Sequence, residues 1–190
     1  SATLKFSGTL IIQAQGTGVP AGAGISTTSN PLTISGLSSN TPYEIYLRAV
    51  CTLTEQSIWV GPFNVQTNIA VICGTPVNTT YCYTDNDSTS WTFTSNDGSP
   101  LRLTFNAGQV ENDWDELIVI DSDGLTQLYN GYGAAGNLAG LTFDSTGDTI
   151  TVMISSDGSA NCGDSAYTSW DFDIACATCV NPTATFTIVP

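Results

Sequence analysis

The sequence predicts an all-β chain: two antiparallel β-sandwich domains, followed by a strand that belongs to a further domain. Three observations carry this. Apolar runs are short, alternate with polar residues, and are separated roughly every eight to twelve residues by turn clusters, the pattern of a sandwich. Long helix-forming stretches are missing, while Gly, Ser, Thr, Asn and Asp are abundant. Charge is stepped along the chain: residues 1–72 hold Lys5, Arg48, Glu44 and Glu55 and sum to zero, whereas residues 73–190 hold fifteen acids and Arg102 and carry the whole net charge of −14. A step that sharp marks a boundary near residue 70. With 190 residues, 41% of them apolar, the chain can bury a sizeable core in one large or two small domains.

The elements follow in order. Leu4 to Gly16 is an apolar run with a polar break, and GVPAGAG after it is a loop. NPLTISGL and YEIYLRAVC are strands; in the second, Tyr43, Ile45 and Leu47 face one way and Glu44, Tyr46 and Arg48 the other. WVGPFNVQT closes the first unit. In the second unit Cys73 and Cys82 bracket a short segment. WTFTSNDGSPLRLTF gives two strands about an Asn96-Asp97-Gly98-Ser99-Pro100 turn. DELIVIDSDG is a strand ending in a turn, GLTFDSTGDTITVMISSDGS gives two more, and YTSWDFDIAC is the last.

Two resemblances refine this reading. Gly36-Leu37-Ser38-Ser39-Asn40-Thr41-Pro42-Tyr43 resembles the tyrosine corner of fibronectin type III domains, in which the phenol ties back to the loop backbone. The likeness implies a partial domain of that type over 1–68 and speaks of fold, not function. The stretch from 69 to 176 resembles the CUB domain, a jelly-roll-like sandwich of extracellular proteins, through Trp114-Asp115-Glu116-Leu117-Ile118-Val119-Ile120, the Asp123-Gly124 turn and Ile154-Ser155-Ser156-Asp157-Gly158-Ser159. In calcium-binding members of that family one Glu and two Asp hold the ion, helped by Ser or Asn. The resemblance therefore implies calcium ligands at Glu111, Asp115 and Asp157, with Ser159 and Asn161 as helpers. The family's usual disulfide layout is not reproduced, and the pairings expected beside it are Cys73 with Cys82 and Cys162 with Cys176. Residues 177–190 are similar to the opening strand of the fibronectin-like or Ig-like repeats in long surface proteins of the Bacteroidota. Cys51 and Cys179 are then left for an inter-domain or inter-chain bridge, with a strand like 179–190 completing a domain like 1–67 along a tandem chain or between protomers; a frayed tail is the plainer reading.

The residues themselves bound the function. There is no histidine, which excludes Ser-His-Asp and Cys-His catalysis and the usual zinc sites. Three basic residues in all make no patch for nucleic acid or anionic lipid, and no apolar run is long enough to span a membrane. No signal peptide is visible, so a mature fragment is expected. Six cysteines in so acidic and Thr-rich a chain read as disulfides of an oxidising compartment, hence a secreted or cell-surface location; the Cys176-Ala-Thr-Cys179 spacing lacks the βαβ context of a redox motif. Glu111, Asp113, Asp115 and Glu116 crowd one turn, and Asp157 sits in a second. Such acids are either solvated surface or the oxygen ligands of a hard cation. Glu111 with Asp115 or Asp157 could also serve glycoside hydrolysis, but no aromatic-lined cleft is evident and an enzyme is not expected. Tyr129 and Tyr132 in a Gly-rich loop offer contact to an extracellular glycan or protein. The expected function is a segment of a bacterial adhesin or extracellular filament whose partners are neighbouring copies or domains of the same long protein. The alternative is an accessory binding region of a secreted multidomain hydrolase.

Overall fold

The computed structural model describes residues 3–4, 8–28, 32–51, 55–164 and 167–177, and the chain divides into two units, the second beginning at Val71. Every described sheet pairing is antiparallel. Residues 178–190, and with them the expected C-terminal strand and Cys179, lie outside the described residues.

In the first unit, strands β1 (Thr3–Leu4) and β4 (Leu32–Thr33) pair with each other. The strands β2 (Gly8–Ala14), β3 (Ile25–Thr27), β5 (Pro42–Arg48) and β6 (Val60–Gln66) form a sheet in the order β3-β2-β5-β6. Leu10 pairs with Leu47 and Ile12 with Ile45, so the apolar alternation of β2 and β5 falls on one face. The tyrosine-corner contact is present: the Ser38 N–H donates to the Tyr43 hydroxyl oxygen at 2.9 Å. Glu44 departs from the simple alternation. It is buried at 4% exposure, because the side-chain amide of Gln13 (2.9 Å) and the backbone N–H of Gly18 (3.0 Å) and Gly16 (3.4 Å) converge on its carboxylate. These bonds, Gln13 foremost, hold its carboxyl below the ordinary carboxylate range.

The second unit is a sandwich of two sheets. One contains β8 (Val77–Tyr81), β10 (Leu101–Ala107), β13 (Thr142–Asp144) and β15 (Trp170–Cys176), in the order β13-β10-β15-β8. The other contains β9 (Ser90–Ser95), β11 (Glu116–Ile120), β12 (Gln127–Gly131) and β14 (Thr149–Ser155), in the order β12-β11-β14-β9, with β7 (Ile69–Val71), whose last residue opens the unit, beside β9. Period-two alternation sends Leu101, Leu103 and Phe105, Ile150, Val152 and Ile154, and Trp170, Phe172 and Ile174 into the core. Aromatic rings lock the sheets together: Phe172 meets Trp91 at 5.9 Å and Phe93 at 6.2 Å, both edge to face. The outer face stays polar, with hydroxyl pairs Thr92–Thr151 (2.9 Å) and Thr94–Thr149 (3.2 Å).

The disulfides correct the sequence reading. Cys73 bonds Cys176 and Cys82 bonds Cys162, with Cα separations of 5.2 Å and 5.3 Å. The reason lies in the register. Cys73 and Cys82 stand at opposite ends of β8, whose five residues span roughly 16 Å, beyond the reach of one bridge. Cys162 and Cys176 likewise flank β15. Because β8 and β15 run antiparallel, Tyr81 opposite Trp170, the head of one strand meets the tail of the other.

Candidate metal centre

The register of β11 against β14 builds the site. Glu116 lies opposite Ser155, so Asp115, one residue earlier, faces the residues that follow Ser155. The Asp157 N–H accordingly donates to Asp115 Oδ1 at 2.9 Å. Glu111 is brought back by a tight turn in which the N–H groups of Trp114 and Asp115 donate to its carbonyl at 3.3 and 3.0 Å. Asp113 takes the left-handed conformation (φ 71°) inside that turn, a region Asp tolerates better than most residues. Gly136 (φ 84°) fixes the turn from outside: its carbonyl accepts from the Val110 N–H at 2.9 Å, and any Cβ there would run into the Val110 carbonyl.

The result is a convergence of three carboxylates. Oxygens of Glu111, Asp115 and Asp157 all lie within 4.8 Å of one another. Asp115 is fully buried, and the buried Glu111 Oε2 has no hydrogen-bond partner. Burial, then the charges of Asp157 and Asp115, push the Glu111 carboxyl above its ordinary value. Among the described residues of the second unit, no cation is bonded to these acids. Arg102 is the single basic residue after Arg48, and it is bound by both guanidinium arms to Asp144 at 2.6 and 2.7 Å. Two phenols close the surroundings. Tyr83, fully buried, donates to the Ala160 carbonyl at 3.2 Å; burial first, then Asp115, drives its phenol well above the ordinary range. Tyr167 is raised by burial, Glu111 and Asp115.

The donor set tests the fit of a metal. It is oxygen only, it carries three formal negative charges, and one of its oxygens is buried and unpaired. That suits a hard cation taking six to eight oxygens at about 2.3–2.6 Å, and not a metal that prefers nitrogen or sulfur. A second acidic group, Cys73, Asp97 and Cys176, offers no thiolate, because its two sulfurs are bonded to each other.

No protein-family model and no curated protein sequence matches this chain. Among solved structures, the chain is similar to the full extracellular region of zebrafish Gpr126/Adgrg6 (20% identity, TM-score 0.45), covering 57% of this chain and 14% of that one. It is similar to the CUB1-EGF-CUB2 domains of rat MASP-1 (14%, TM-score 0.44), covering 58% and 42%. It is similar also to the MASP-1 CUB2 domain bound to Ca2+ (13%, TM-score 0.41), covering 55% and 96%. The chain thus spans less than half the length of the first two.

The remaining sequence-stated residues are placed as follows. Ser159 donates its N–H to Asp157 Oδ1 at 3.0 Å, with its hydroxyl 3.5 Å from the same oxygen. Asn161 is buried; its amide nitrogen donates to Asp85, and its oxygen accepts from the Asp164 N–H at 3.1 Å. Both therefore brace the loop that carries Asp157. Tyr129 is half-buried, stacks on Phe143 at 4.9 Å and accepts from the Gly133 N–H at 2.8 Å, so it shapes the Gly-rich loop from within. Tyr132 lies against Asp113, which raises its phenol. Cys51 is an exposed free thiol. The sequence reading missed Tyr83 and the 84–89 turn. Their one signal is the run Tyr83-Thr84-Asp85-Asn86-Asp87 directly after a cysteine, which marks a turn but does not say what it touches.

Proposed function

We propose that this chain is a segment of a cell-surface adhesin or extracellular filament, in which the second unit is a calcium-stabilised, CUB-like module and the modules act as spacers and binding surfaces. The observation that carries the reading is the convergence of Glu111, Asp115 and Asp157 on one partly buried point, with Glu111 Oε2 unpaired. A dication there would cancel the repulsion among the three acids and pin the 108–116 turn to the 155–164 loop. Two disulfides in a small all-β unit fit the same oxidising, extracellular setting. The chain's own residues supply charge, orientation and exclusion of water: Asp115 from the buried floor, Glu111 from the turn, Asp157 from the facing loop.

The test is thermal unfolding in calcium against chelator. A ligand that binds only the folded state at 100 times its Kd adds about 2.7 kcal/mol, which raises the melting temperature by on the order of 10 °C in a domain of this size. Asp115→Ala and Asp157→Ala abolish the rise. Equal melting temperatures of the wild type in calcium and in chelator would sink the reading.

A further inference from the structure

We infer that Asp87 is a positioning residue for the metal centre: a buried carboxylate, outside the ligand set, that holds the 84–89 turn as the template on which the Asp157 loop is set. This rests on the calcium reading above and names the part of the fold that makes the site preformed. Asp87 is only 8% exposed, and among the described residues its partners are uncharged donors. Its four bonds come from groups of the protein itself. Oδ2 accepts from the Tyr81 hydroxyl at 2.6 Å and from the Thr84 N–H at 3.2 Å. Oδ1 accepts from the Thr89 N–H at 2.9 Å and from the Thr89 hydroxyl at 2.7 Å. A carboxylate has room for about four such bonds, so Asp87 is saturated and joins the end of β8, the turn and the approach to β9 in one node.

The backbone of that node is stapled to the metal loop. The Asn86 N–H donates to the Asp157 carbonyl at 2.5 Å, and the Ser156 N–H donates to the Asp87 carbonyl at 3.0 Å. The Asp87 N–H donates to the Ser156 hydroxyl oxygen at 2.8 Å, and that hydroxyl donates to the Thr84 carbonyl at 2.7 Å. One residue further into the turn, Asp85 accepts from the Asn161 side chain at the far end of the same loop. The conformation of the 84–89 turn therefore fixes where Asp157 stands relative to Asp115, although Asp87 itself is bonded to none of the three converging acids. Partners that orient metal ligands typically matter by about 10- to 100-fold in affinity.

The experiment is a calcium titration of the whole chain, read by displacement of terbium whose emission is sensitised by the nearby aromatic rings. Asp87→Asn replaces one acceptor oxygen by an NH2 group that two of the four donors must then oppose. It is expected to weaken calcium binding by about tenfold or more. Ser156→Ala, a milder change that removes the two hydroxyl bonds of the staple and leaves its two backbone bonds and Asp87 intact, is expected to weaken binding in the same direction and covers the case in which Asp87→Asn does not fold. Asp121→Asn is the matched control. Asp121 is also a buried, hydrogen-bonded aspartate, but it sits at the other end of β11 and braces Thr146. It is expected to lower the melting temperature in chelator without changing the calcium Kd. If wild type binds calcium and both Asp87→Asn and Ser156→Ala bind as tightly, the inference is overturned while the calcium site stands. Equal loss of affinity in Asp121→Asn would also overturn it, by showing that general destabilisation suffices. If wild type itself gives no calcium-dependent signal, the calcium reading falls, and this inference with it.

Discussion

At the scale of single residues, the described acids of this chain divide by what compensates their burial. Asp87, Asp121 and Glu44 are buried and satisfied by donors; Glu111 is half-buried, with its buried Oε2 unpartnered. The difference is visible in proton affinity. For Asp121, burial pushes its carboxyl upward, but the bonds from Thr146 and Ser122 outweigh it and leave the group below the ordinary carboxylate range. The sign of the stability effect follows from linkage: a carboxyl whose folded value lies below its unfolded value gives stability that is fully present above the unfolded value and is lost as pH falls through the folded one. Wild type is therefore expected to lose melting temperature on acidification below the ordinary carboxylate range. Asp121→Asn should melt lower at neutral pH and show a shallower acid decline. Parallel pH profiles for the two proteins would refute the assignment. Glu111 has the opposite sign, since it is raised. Without a cation it prefers its proton and works against the fold as pH rises through the carboxylate range.

At the scale of elements, what the sequence made legible is what depends on local pattern. The alternation of Leu101, Leu103 and Phe105, and of Trp170, Phe172 and Ile174, states strand and inner face at once, and both are found. Strand β12 was hidden because its Leu-Tyr-Asn-Gly sequence reads as a loop; it is held as an edge strand by pairing with β11. The acidic turn at 111–116 was legible because its members are neighbours, whereas the work of Tyr83 and Asp87 depends on which strand lies beside which. The disulfides show the same limit: Cys73 and Cys82, and Cys162 and Cys176, follow one another in sequence but stand at opposite ends of β8 and β15. Peptide mapping of oxidised protein should recover the linked pairs 73–176 and 82–162; a 73–82 peptide would refute the β8–β15 register. Replacing Cys82 and Cys162 together by Ser removes a cross-link of sequence separation 80. On the chain-entropy argument it should cost roughly 4 kcal/mol. It should also loosen the loop that carries Asp157, so the calcium-dependent rise in melting temperature should shrink with it.

At the scale of the whole molecule, the charge step and the two units assign different parts to different roles. The second unit carries almost all the negative charge, two disulfides and the three-acid centre, so its rigidity would depend on the calcium concentration around it. The first unit is close to neutral and presents an exposed free thiol at Cys51. In an oxidising setting an exposed thiol is available for exchange with another cysteine. If the chain works in an array of like modules, the linkage between modules is either peptide or disulfide, and the two differ in one measurement. Native surface material is run on denaturing gels with and without reductant. A very large species that survives reduction means one long tandem chain. A ladder that collapses under reductant, and does not form in Cys51→Ser, means protomers cross-linked through Cys51. A lone small species in both lanes would refute the array and leave a two-unit binding module. Because the proposed calcium site lies within the second unit, any effect of calcium on melting should be the same in every one of these cases, so the gel separates how modules are joined from what keeps each one folded.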